Sequence, residues 1–182
     1  NFLPNLGLKI STQAKSPAGA GLGGSSTLSV SIIGALKFWC DGNLDILKEG
    51  EDLVEVTRDV ETTVIKVPAG MQDYYGAMFG GLQSLKWGVG SHHRSWINPK
   101  LIPELEARIS LFYSGQSRNS GINNWALFKS FIDQQGGVRE QFNGINESAH
   151  CLEKAFADED WKAVGEAIAS EWKVRRGLAS GI

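Results

Sequence analysis

The residue pattern predicts an α+β fold. Three observations carry this: short alternating apolar runs separated along the chain, two long helical stripes between the first and second of them, and a last third that is helical throughout. The predicted order is strand, helix, helix, strand, strand, helices, with no internal repeat.

The stretch Leu6 to Thr12 alternates at Leu8 and Ile10, which suits a short half-buried strand. A glycine-rich segment, Pro17 to Ser26, follows it. Leu28, Ile32, Leu36 and Trp39 then fall at helical spacing, with Val30 and Ile33 on other faces, so this helix is expected to be largely buried. Asp41-Gly42-Asn43 ends it. A second helix is predicted from about Asp45 into the sixties on Leu53, Val56, Val60 and Val64, and Pro68-Ala69-Gly70 breaks it. Residues 82–87 and 107–114 read as strands, the latter on the alternation of Ile109, Leu111 and Tyr113. Between them 88–104 reads as a loop with Pro99 and Pro103, and His92-His93 as a solvated part of it. Two stripes close the chain: Phe142, Ile145, Ala149, Leu152 and Phe156, then Trp161, Val164, Ile168 and Trp172. The short Asp158-Glu159-Asp160 between them predicts an antiparallel helical pair. Trp87, Trp96 and Trp125 are expected to pack in the core, and Lys66 to face solvent. The first strand has no preceding partner, and the chain stops just after a helix, so a fragment of a longer protein is expected.

Composition narrows the function classes. The chain has 182 residues, 42% hydrophobic and 21% charged, which excludes wholesale disorder. Lys and Arg number 18 against 20 Asp and Glu, a net charge of −2, so a strongly basic nucleic-acid surface is not expected. No apolar run approaches the length of a membrane span, and no membrane partner is expected. Cys40 and Cys151 lie far apart with no CxxC, and the three histidines lack metal-ligand spacing, which favours a reducing cytoplasm over a disulfide or zinc scaffold. Glycine is in excess: 22 of 182 is about 12%, against roughly 7% in ordinary proteins.

Much of that excess has a chemical use. Pro17, Gly19, Ala20, Gly21, Leu22, Gly23, Gly24, Ser25 and Ser26 lead directly into the first helix. Glycines let consecutive backbone N–H groups converge on one point, and the free N–H groups and positive dipole end of the helix face the same way. The dipole adds only about 0.3–1 kcal/mol at an exposed site. Several N–H bonds to a charged oxygen, at roughly 1.5–3 kcal/mol each, would dominate. The segment therefore reads as a phosphate cradle, with a glycine-rich turn and an ordinary Ser N-cap as the plain alternative. No Lys precedes Ser25, which excludes a Walker A loop. Gly19, Gly21 and Gly24 formally satisfy GxGxxG, but six residues intervene between Thr12 and the glycines, too many for a dinucleotide fingerprint.

The same ten residues resemble the second signature of the GHMP kinases, usually Pro-x3-Gly-Leu-Gly-Ser-Ser-Ala. The added Gly24 and Thr27 are similar to the sugar-kinase branch that acts on heptose phosphate or fucose. Glu61, followed by Gly70, Met71-Gln72-Asp73-Tyr74-Tyr75-Gly76 and Phe79-Gly80-Gly81, resembles that branch's Glu, Gly-x-Gln-Asp-Gln-Tyr and Phe-Gly-Gly. Ser114-Gly115-Gln116-Ser117-Arg118 resembles its Thr-Gly-x-Ser-Arg.

The resemblance implies a two-layer GHMP kinase fold related to ribosomal protein S5 domain 2. It implies an ATP-binding domain over residues 1–106, incomplete at its start, and the beginning of a second, helical domain over 107–182. It also implies roles: the glycine loop wraps the phosphates of ATP, Ser25 and Glu61 hold Mg²⁺, and Asp73 is the catalytic base. Gln72, Asp73, Gly115 and Arg118 face a small-molecule sugar or sugar phosphate. Mg²⁺ takes oxygen ligands and is often held by one or two protein groups with substrate phosphates supplying others, which agrees with that division. Taken without the motif, Glu61 also reads as a solvated helix residue, Asp73 as a cap of the element beginning at Tyr74, and Arg118 as a surface residue. Two departures stand out. Tyr74 replaces the branch's second Gln, and the family's amino-terminal and carboxy-terminal motifs are absent, which implies that the chain alone is catalytically inert. A non-catalytic sugar- or nucleotide-binding module is the rival reading; RNA binding is disfavoured by the net charge. The sequence leaves the exact sugar and the oligomeric state open.

Overall fold

A computed structural model gives the fold and describes residues 7–66, 68–117 and 121–178. The elements are α1 (Gly24–Asp41), α2 (Ile46–Ile65), α3 (Gln72–Phe79), β1 (Gln83–Gly88), β2 (Ser91–Trp96), a 3₁₀ turn (Pro99–Leu101), α4 (Ile102–Arg108), α5 (Gly121–Ile132), α6 (Val138–Ala157) and α7 (Trp161–Arg175). Among the described residues the two strands form one antiparallel sheet, so the arrangement is α+β. The chain divides into two compact units: one runs to Gly80 and takes in the segment from Phe112, and the other holds 81–111 and the helices from α5 onward.

The first unit is three helices around a small core. Its α1 ends on Gly42, whose left-handed φ of 74° lets its N–H reach the Phe38 carbonyl. Asp45 caps α2 by accepting from the Leu47 N–H, and Glu49 accepts from the Asp45 N–H. Lys37 pairs with Asp41 on its own helix and with Glu49 of α2 at 2.7 Å. Val54, Thr57, Tyr74 and Tyr75 are almost wholly buried. Tyr75 stacks on Phe79 and donates its hydroxyl to Glu51 at 2.6 Å. A Cβ added at Gly50 would lie 2.6 Å from the Phe79 ring, so α2 and α3 approach as closely as they do because position 50 has none.

The faces these helices bury differ from the predicted stripes. In α1 the inward residues are Ser26, Val30 and Gly34, while Leu28, Phe38 and Trp39 are exposed, so the helix is not largely buried. Small residues at 26 and 34 admit a closer neighbour than leucines would. In α2 Leu53 is inward as predicted, but Val56, Val60 and Val64 face outward and Gly50, Val54 and Thr57 face inward. Thr57 tolerates burial because its hydroxyl donates to the Leu53 carbonyl at 2.6 Å. The predicted first strand is absent: residues 7–14 have no regular structure, and no described strand offers them a ladder.

In the second unit, β1 falls where predicted, but the predicted loop at 88–104 contains β2, the 3₁₀ turn and the start of α4. Gly88 pairs with Ser91 across a two-residue turn whose Gly90 has φ 69°, a tight hairpin geometry. His92 and His93 therefore lie in a strand. The predicted strand at 107–114 is also absent: α4 runs to Arg108, and Ile109, Leu111, Phe112 and Tyr113 are irregular and exposed. Alternation without a partner strand is not enough to make a sheet.

The helical pair is as predicted. Gly144 meets Val174, Ser148 donates to Ser170 at 3.4 Å, and Phe156 meets Trp161 edge-on, so α6 and α7 run antiparallel. Asp160 caps α7 through the Ala163 N–H. Leu101, Ala155, Phe156 and Val164 form the core, with Leu82, Ile97 and Leu152 packed on it. Of the predicted stripes, Ala149, Ile168 and Trp172 face solvent, as do Trp87, Trp96 and Trp125. None of the described helices is long and apolar enough to cross a membrane.

Replacing Phe156 with Ala removes a ring from the centre of this core and should cost about 3–5 kcal/mol in urea unfolding. Glu153 of α6 is held below the usual carboxylate range by the Lys86 ammonium, then by the Ser84 hydroxyl. Its stabilising contribution is therefore present above the ordinary carboxylate range and fades as the pH falls through its lowered value. Glu153→Gln should lower the urea midpoint at neutral pH and match the wild type in strong acid.

Candidate active site

The loop that enters α1 turns at Pro17, whose carbonyl accepts from the Ala20 N–H at 3.4 Å. Gly19, Gly21 and Gly23 have φ of 70°, 75° and 66°. Left-handed residues alternating with ordinary ones turn successive N–H groups to one side, the geometry of an anion-binding concavity. Gly23 is the N-cap of α1 and no side chain caps it, so the plain alternative of a Ser cap does not hold. Thr27 returns both its N–H and its hydroxyl to the Gly23 carbonyl at 2.9 Å. Pro17, Gly24 and Leu22 are exposed, Ala20 half-buried and Ser26 buried.

Ser25 uses its hydroxyl elsewhere: it donates to Glu61 Oε1 at 2.9 Å. Glu61 Oε2 accepts from Ser29 at 3.1 Å and from Tyr74 at 2.8 Å. The carboxylate is thus a half-buried junction of α1, α2 and α3 and not a freely solvated helix residue. Burial, then the bond to Glu61, raises the Tyr74 hydroxyl well above its ordinary value, while a bond from Ser26 works the other way. The phenol therefore remains a proton donor across the neutral range.

Asp73 sits in the first turn of α3, whose N-cap is Met71, so it is not itself the cap. A Cβ added at Gly23 would stand 3.4 Å from Asp73 Cβ and 3.8 Å from its Oδ1. The end of the glycine loop and this carboxylate therefore lie directly against each other. Gln72 is exposed and folds back over Gly70, where an added Cβ would meet its Oε1 at 2.5 Å. Gly19 and Ala20 share an open depression of about 270 Å³ with Phe112, Ser114, Gln116 and Ser117. Gly115 is exposed with φ 78°, and Arg118 lies outside the described residues.

Among the described residues no three His, Cys, Asp or Glu side chains group closely enough to hold a metal ion. Ser25 Oγ and Glu61 Oε1 nonetheless fit a hard cation that takes its other ligands from phosphate and water. Both are the hard oxygen donors such a cation takes, and their hydrogen bond already holds them side by side at 2.9 Å.

Residues 1–81 match the family described as GHMP kinases N terminal domain. Over 177 residues the chain is 26% identical to D-glycero-alpha-D-manno-heptose 7-phosphate kinase of Campylobacter jejuni, covering 94% of this chain and 50% of that one. It is 24% identical over 183 residues to a bifunctional fucokinase/GDP-fucose pyrophosphorylase of Arabidopsis thaliana, covering 98% and 17%. It is 26% identical over 184 residues to an L-fucokinase/L-fucose-1-P guanylyltransferase of Bacteroides fragilis, covering 96% and 18%. Over its first 81 residues the chain is a match to the GHMP kinase N-terminal domain. It spans about half the length of the heptose phosphate kinase and under a fifth of each of the fucokinases.

Two members of the cluster around Glu61 escaped the sequence reading, Ser29 and Tyr74. Ser29 is four residues after Ser25, on the same helical face, which is the signal that would have found it. Tyr74 adjoins Asp73, but its inward direction depends on how α3 packs. Ala at position 23 would have to adopt φ 66° against Asp73, so Gly23→Ala should cost roughly 1 kcal/mol or more in urea unfolding.

Proposed function

We propose that the full-length protein is an ATP-dependent kinase that transfers a phosphoryl group to a hydroxyl of a sugar or sugar phosphate, with heptose 7-phosphate the best-matched acceptor. The observation that carries this reading is the contact of Gly23 with Asp73: the end of a loop suited to phosphate lies against a carboxylate suited to a hydroxyl. The named activities of the relatives support the choice of acceptor class. A nucleotide-binding domain over 1–106 in the two-layer fold, the start of a second domain over 107–182, and a cytoplasmic setting belong to the same proposal. The exposed free thiols of Cys40 and Cys151 accord with that setting.

The loop from Pro17 to Ser26 binds the nucleotide's phosphates through its backbone N–H groups. Ser25 and Glu61 hold Mg²⁺, which when bound neutralises charge on those phosphates. Asp73 accepts the proton of the sugar hydroxyl as that oxygen bonds to the γ-phosphorus and the bond to the β-phosphate oxygen breaks, releasing ADP. Gln72, Gly115 and Arg118 complete the acceptor side. Positioning does most of the work in such a transfer, so the short separation of loop and carboxylate matters more than any perturbed acidity.

ATP consumption by the full-length protein over a panel of heptose phosphates, fucose and other hexoses tests the reading. Turnover should appear with one of these, and Asp73→Asn should lower kcat about 100-fold or more with ATP affinity nearly unchanged. Sugar or nucleotide binding without any turnover would replace the kinase with a binding module.

A further inference from the structure

We infer that Tyr74 is a positioning residue that aims the cation-binding carboxylate of Glu61, an assignment that rests on the kinase reading above. Tyr74 is 1% exposed, with its ring enclosed in the helical core of the first unit. Only its hydroxyl reaches the site, and it donates to Glu61 Oε2 at 2.8 Å. A buried aromatic ring has few torsions, so the backbone of α3 fixes where that hydroxyl stands.

Ser29 donates to the same carboxylate oxygen at 3.1 Å. With Oε2 held by two donors, Oε1 is the oxygen that faces Ser25, at 2.9 Å, on the side of the glycine loop. Glu61 is a long, half-buried side chain, and the phenol is the one of its donors whose own ring is fixed by burial. A space-filling role does not account for the hydroxyl, since a Phe ring would fill the same volume without a polar group to satisfy. The residue adjacent to Tyr74 is Asp73, so one turn of α3 carries both the acceptor-side carboxylate and the support for the cation-side one. Partners that orient a metal ligand from behind typically cost about 10–100-fold in metal affinity or activity when lost.

The test uses the full-length protein with Mn²⁺ as probe, its binding followed by electron paramagnetic resonance with saturating AMP-PNP and no sugar. Tyr74→Phe should weaken Mn²⁺ binding about 10–100-fold, with metal-free AMP-PNP affinity unchanged. Glu61→Gln is titrated beside it. Weakening in both variants upholds the assignment. Weakening in Glu61→Gln alone overturns the role of Tyr74 and leaves the kinase reading standing. Wild-type binding in both removes the cation from Glu61, and the role of Tyr74 falls with it. Should Tyr74→Phe not fold, a crystal structure of the wild type with Mn²⁺ and AMP-PNP decides: a phenol within hydrogen-bond distance of metal-bound Glu61 upholds the assignment, and a phenol turned away from it overturns it.

Discussion

One carboxylate gathers the three helices of the first unit. Glu61 of α2 takes hydroxyl donors from Ser25 and Ser29 of α1 and from Tyr74 of α3. Hydrogen bonds to a charged acceptor are worth about 1.5–3 kcal/mol each, more than neutral ones. The same bonds fix the start of α1, and with it the mouth of the glycine loop, relative to the start of α3. Stability and the proposed chemistry meet at this one side chain.

The loop itself draws little from side chains. The phosphate binding proposed for it would rest on backbone N–H groups presented by left-handed glycines and left uncapped at the start of α1. A side-chain cap would have satisfied one of those donors and removed it from use. The Ser25 hydroxyl ties α1 to α2 through Glu61, and the helix end stays open because the N-cap, Gly23, has no side chain.

Local structure was legible in the sequence, and pairing was not. Glycine spacing, the break at 68–70 and the stripe of α6 each follow from short-range rules, and the structure has a loop, an interruption and a helix there. The faces of α1 and α2 were misread because the buried positions are small or polar: Ser26, Gly34, Gly50 and Thr57 carry little weight in an apolar count, yet they are where neighbours approach. β2 was missed for the opposite reason. Its sequence, Ser-His-His-Arg-Ser-Trp, has almost no apolar alternation, and its strand character comes from pairing with β1 across a glycine turn. The apolar alternation at 107–114 found no partner and stayed irregular. In the site, contiguous motifs could be read off, whereas Ser29 and Tyr74 became visible only once α1 and α3 were packed on α2.

The close approach at Gly50 reaches further than its chemistry suggests. Position 50 has no side chain to bind or react with anything, yet it sets the separation of α2 from α3, and through that separation how far the phenol at 74 extends toward the carboxylate at 61. A saturation scan of this chain would therefore score residue 50 alongside the positions proposed to do chemistry. Anyone ranking positions by sensitivity alone would mistake a spacer for a participant.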